Sequence, residues 1–93
     1  LMPTEYDLPP HHSEAEKGVL SGALMDNETI WIFESDNIAP KDFYQKEHEA
    51  IYEAIKQLWA EHKTIDVITL SDQLSRNGNL EACGGTDYLY ELA

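Results

Sequence analysis

Basic residues are what this 93-residue chain has least of. Six Lys and Arg stand against eighteen Asp and Glu, a formal charge of −12. Lys17, Lys41, Lys46, Lys56, Lys63 and Arg76 are scattered singly among carboxylates. A protein grips a nucleic-acid backbone with clustered cations that displace condensed counterions, so direct DNA binding by this chain is not expected. An anionic membrane surface would be repelled, whereas a basic partner would be attracted. The alternative reading of the charge is a merely solubilising surface. Cysteine is nearly absent. Cys83 stands alone, which excludes an intrachain disulfide, fits a reducing compartment and reads as a small buried filler. No apolar run approaches the roughly 20 residues of a membrane-spanning helix. The polar opening Leu1-Met2-Pro3-Thr4-Glu5 has no signal-peptide pattern. A cytoplasmic location is the resulting expectation.

What is present suffices for one small domain. Hydrophobic residues make up 42% of the chain and aromatics 10%, too much for a disordered acidic tail. Chains of this length bury only about 60–65% of their unfolded surface, so the stability margin is narrow.

Pro3, Pro9 and Pro10 block helix early, and residues 1–12 read as an extended lead-in. His11-His12 lies on it and is not read as a metal site. Ser13-Glu14-Ala15-Glu16 has the form of a capping box and opens a helix expected to reach Met25. Ala15, Val19 and Ala23, with Leu20 and Leu24, make its apolar stripe. Gly18 and Gly22 lie one turn apart on the same helix, where they cost up to about 1 kcal/mol each, and either admit another helix backbone or are simply tolerated. Asp26-Asn27 reads as a stop and the next cap, before a helix over Thr29 to Ser35 that carries Ile30-Trp31-Ile32-Phe33. Pro40 suits a first helical position and predicts a single turn to Tyr44.

The clearest helix spans Lys46 to His62. Ile51, Tyr52, Ile55, Leu58 and Trp59 share one face, and a Glu53–Lys56 pair is expected on the other. Asp66 or Thr69 caps a helix with Val67, Leu70 and Leu74 inside. Asn77-Gly78 ends it, and Leu80 folds back. Glu81 to Cys83 forms a short turn, Gly84-Gly85 breaks it, and Thr86 caps a last helix carrying Tyr88, Leu89, Leu92 and Ala93. That helix stops in mid-pattern with no capping signal. The expected architecture is all-α: a small orthogonal bundle of five to six short helices, the last one truncated, over residues 13–93.

No chemistry-bearing motif is found. The sequence has no Walker A loop, GxGxxG, HExxH, CxxC or GxSxG. Pairs such as Asp66 and Asp72, or Glu47 and Glu49, do not make an acid–base site without a pocket. His48 has no Cys, Asp or second His at i+4 to complete a metal pair and reads as a packed, hydrogen-bonded side chain. No catalytic, metal-binding or cofactor-binding residue is assigned.

Three blocks nevertheless resemble one family. Pro9-Pro10-His11, Glu14-Ala15-Glu16, Val19-Leu20, Gly22 and Asp26-Asn27 form the first; Asp42-Phe43-Tyr44 with His48 the second; and Ile65-Asp66, Thr69-Leu70, Leu74, Gly78, Leu80, Gly84-Gly85, Tyr88-Leu89 and Glu91-Leu92 the third. In this order and at these spacings they are similar to the N-terminal domain of bacterial replicative DNA helicases of the DnaB type, from about Leu8 to the end. His12 departs from the pattern where a small capping residue is usual, and Ile30-Trp31-Ile32-Phe33 is bulkier than the family's helix.

The resemblance implies a small non-catalytic helical bundle that supports assembly of a hexameric ring and binds the C-terminal domain of primase during DNA replication. It implies no cofactor here, since ATP and Mg belong to a separate motor domain. A free-standing acidic protein that mimics DNA and binds a basic partner is the alternative. Tyr88, Leu89 and Leu92, expected to be partly exposed on the last helix, are the candidates for a subunit contact. Trp31 and Phe33 are the candidates for a second partner surface.

Overall fold

The computed structural model describes residues 13–93. The lead-in over residues 1–12, with His11-His12, lies outside the described residues. Five α-helices follow in chain order: α1 Ser13–Met25, α2 Thr29–Ser35, α3 Lys46–Ala60, α4 Val67–Arg76 and α5 Gly85–Leu92, with a 3-10 turn at Pro40–Asp42 between α2 and α3. No strand occurs among the described residues. The fold is all-helical, as expected.

Helix α3 is the centre. It packs against α1, the 3-10 turn and α4; α5 closes over α4 and α1, and α2 lies on α1. The central position explains why so much of its circumference is covered. His48, Ile51, Tyr52, Ala54, Ile55 and Leu58 are all buried. Around them pack Leu20 and Ala23 of α1, Ile30 and Phe33 of α2, Leu70 and Leu74 of α4, and Leu89 and Leu92 of α5. The i, i+3, i+4 spacing within each helix brings these residues onto one stripe. In α2 that spacing buries Ile30 and Phe33 and leaves Trp31 57% exposed.

The helix ends are chemically explicit. Asp66 accepts the Thr69 amide at 2.8 Å, while the Thr69 hydroxyl accepts the Asp66 amide at 3.0 Å, a reciprocal cap that starts α4. Asn37, His62 and Gly78 follow α2, α3 and α4 in left-handed conformation, with φ of 60°, 58° and 79°. After each, the next amide reaches back five residues: Ile38 to Phe33, Lys63 to Leu58 and Asn79 to Leu74. These paired reverse bonds satisfy the last carbonyls of each helix.

Several local expectations are corrected. Ser13 and Glu16 do not serve a capping box; the Ser13 hydroxyl donates to Gln45 Oε1 at 2.7 Å, and Glu16 turns inward. Asn27 does not cap α2. Its side chain exchanges hydrogen bonds with the Ile65 backbone, donating to the carbonyl at 3.0 Å and accepting from the amide at 2.9 Å, and so joins the α1–α2 corner to the start of α4. Lys56 pairs with Glu34 of α2 at 3.7 Å rather than with Glu53. Thr86 lies inside α5, its hydroxyl 3.1 Å from that of Ser71. A β-carbon placed at Gly18 or Gly22 would meet nothing within 4 Å, so among the described residues no helix backbone packs closely there.

Candidate functional site: a buried Glu16–His48–Tyr88 network

Among the described residues, one carboxyl group and one imidazole lie inside the core. Glu16 is 1% exposed and His48 0%. Glu16 projects from the first turn of α1 and His48 from the first turn of α3, and the carboxylate Oε1 lies 2.7 Å from the imidazole Nδ1. On its other side His48 Nε2 lies 2.6 Å from the Tyr88 hydroxyl of α5, with the two rings stacked at a centroid distance of 5.9 Å. Glu16 also accepts the backbone N–H groups of Tyr44 and Gln45, just ahead of α3. One chain of polar contacts therefore joins α1, the 43–45 corner, α3 and α5.

The roles of the atoms follow from what each can do. A carboxylate only accepts, so His48 Nδ1 carries the proton directed at Glu16. With the imidazole neutral, Nε2 accepts the Tyr88 hydroxyl proton, and every buried donor and acceptor is matched. Among the described residues no buried side-chain nitrogen or oxygen is left without a partner. Such matching is the condition for keeping a carboxylate in a low-dielectric interior, where an unpaired charge would cost several kcal/mol. The position of Glu16 ahead of α3 adds the favourable interaction of an anion with a helix N-terminus.

Tyr88 is the solvent-facing end of this chain. It is half-buried and lines two open clefts of about 290 and 380 Å³. The first lies between α1 and α5, against Gly18, Ser21 and Leu92; the second is bounded by Gln45, Glu47 and Cys83. Burial pushes the Tyr88 phenol above its ordinary pKa, and the surrounding carboxylates of Glu91, Glu47, Glu14 and Glu16 push it further. Cys83 is likewise raised, by burial and then by Glu47, and its thiol points to the Glu47 carbonyl at 3.5 Å. Neither group is an activated nucleophile. Among the described residues, no group of three or more His, Cys, Asp and Glu side chains could hold a metal ion. The network is suited to fixing the relative positions of three helices.

The structure places the anticipated contact residues in two classes. Leu89 is 0% exposed, Leu92 5% and Phe33 3%. The expectation of a partly exposed Leu89 and Leu92 is thus corrected: α5 turns both under the bundle, where they complete the core. Phe33 does the same from α2. Trp31 stands on the surface, and Tyr88 is half-covered with its hydroxyl committed to His48. The residue that sequence reasoning missed was Glu16, whose spacing to Ser13 gave a local explanation that hid the long-range one. Glu16, His48 and Tyr88 all belong to the blocks that carry the family resemblance, which was the available signal.

Comparison with known proteins agrees with the architecture. Residues 8–93 match the family described as the DnaB-like helicase N terminal domain. The chain belongs to this family. It is 42% identical over 86 residues to the replicative DNA helicase DnaB of Buchnera aphidicola subsp. Schizaphis graminum, covering 92% of this chain and 18% of that protein. The DnaB of Leifsonia xyli subsp. xyli is 36% identical over 84 residues, covering 90% of this chain and 18% of that protein. The crystal structure of the N-terminal domain of DnaB helicase from Mycobacterium tuberculosis superposes with a TM-score of 0.84 at 34% identity, over 91% of this chain and 60% of that one. The chain thus spans about a fifth of the length of these helicases and corresponds to their N-terminal domain. No helix among the described residues is long and apolar enough to cross a membrane.

Proposed function

We propose that this domain is the non-catalytic collar of a hexameric replicative helicase, supporting ring assembly and binding the C-terminal domain of primase during DNA replication. The observation that carries the reading is the family match over residues 8–93. The charge of −12 supports a protein-facing surface over a DNA-gripping one. On this reading ATP and Mg act at a motor domain elsewhere in the helicase, and this domain holds no cofactor. Trp31, the large exposed aromatic of α2, is the contact residue that fits best, because aromatic side chains dominate interface energetics. A calorimetric titration tests the proposal. The primase C-terminal domain from the same organism is expected to bind saturably, and single-stranded DNA in parallel is expected to give no heat. Binding to DNA with none to primase would overturn it.

A further inference from the structure

The Glu16–His48–Tyr88 network connects by hydrogen bonds two places on the surface that also border one open cleft. One is the 43–45 corner, where Phe43 is buried, Tyr44 is 55% exposed, and the amides of Tyr44 and Gln45 are held by Glu16. The other is α5, which enters through Gly84 and Gly85, both with positive φ, and is tied down by Tyr88, by Thr86 on Ser71 and by the buried Leu89 and Leu92. We infer that the network couples the docking of α5 to the conformation of the 43–45 corner.

The coupling follows from the acceptor arithmetic. Glu16 divides two oxygens among three donors, with Oε1 shared between His48 Nδ1 at 2.7 Å and the Gln45 amide at 3.4 Å. His48 is fully buried with the Tyr88 ring over it, so an α5 that keeps this ring packed but loses its hydroxyl leaves Nε2 without a donor. The imidazole then shifts or rotates to find a donor, and the shared oxygen of Glu16 is redistributed. The corner amides are the groups that feel the change. Because hydrogen bonds in a low-dielectric chain polarise one another, a loss at one end weakens the other. Coupling free energies are reciprocal, so a partner that grips the exposed Tyr44 corner also biases α5. This inference rests on the network alone and holds whichever partner the domain binds.

Amide hydrogen exchange on the 93-residue chain tests it. Tyr88→Phe removes the hydroxyl and keeps the ring. Thr86→Val removes the other side-chain tie of α5, which has no connection to Glu16. The Ile55 amide, in the middle of α3, serves as the reference for global opening. Relative to Ile55, exchange at Tyr44 and Gln45 is expected to rise about fivefold in Tyr88→Phe, the loss of one ordinary hydrogen bond, and to stay unchanged in Thr86→Val. No rise in Tyr88→Phe overturns the coupling. An equal rise in both variants also overturns it, because general loosening of α5 would then account for the effect.

Discussion

The two ends of α3 are held by different means. At the N-terminal end His48 is sealed between Glu16 and Tyr88, and the ties to α1 and α5 run through the fully buried Glu16 and His48 to a half-buried Tyr88. At the C-terminal end Gln57 meets Gln73 at 3.2 Å and Asn77 at 2.7 Å, and those two amides meet each other at 3.1 Å. All three side chains are half-buried. The hydrogen bonds at the two ends are similar in length, and their value to stability is not. A bond that water can replace contributes little net, while a buried one sets the full desolvation of its partner against its loss. The comparison teaches that one helix can be locked at one end and adjustable at the other.

The largest break in that contrast is Glu16→Leu. It leaves His48 Nδ1 and two amides without their acceptor, and is expected to cost about 3–5 kcal/mol, read as a drop in the urea midpoint at constant slope. Tyr88→Phe strands only Nε2 and is expected to cost about 1–3 kcal/mol in the same experiment. If Gln57→Ala cost as much as Tyr88→Phe, the distinction between the two ends would collapse. His62→Gly acts at the adjustable end, where a β-carbon is held at φ 58°. It is expected to stabilise by about 0.5–1 kcal/mol, since glycine enters this region without strain, and thermal denaturation should show a higher Tm. Gln57→Ala itself is expected to cost under about 1 kcal/mol, measured by urea unfolding, as its partners remain within reach of water. Trp31→Ala, on the exposed face of α2, should leave stability within about 0.5 kcal/mol, while its loss of primase affinity in calorimetry would sharpen the collar reading.

Much of the fold was legible because it is local. The reciprocal Asp66–Thr69 cap and the Gly78 stop are set by residues within one turn of each other, and the stripes on α3 and α4 follow from helical periodicity. The network was legible only in part. His48 read as a packed, hydrogen-bonded side chain and is one, but its partners lie 32 and 40 residues away. No spacing rule reaches that far. Glu16 was misread for the complementary reason: a carboxylate three residues after a serine has a satisfactory local use, and only the approach of α3 offers it a better one. The same competition moved Asn27 from a cap to the Ile65 backbone and Lys56 from Glu53 to Glu34.

By itself the sequence determined the class of protein: all-helical, acidic and without a catalytic motif, its blocks in the order of a DnaB-type N-terminal domain. Those properties are additive along the chain, sums of propensity, charge and short-range pattern. The tertiary structure alone decided which polar side chains face inward together and which of the expected surface residues are surface at all. Leu89, Leu92 and Phe33 went into the core because the bundle had apolar space for them, and Glu16 followed because His48 and two amides were there to receive it. Burial depends on what the other helices bring to the same place, and that is a property of the packed bundle.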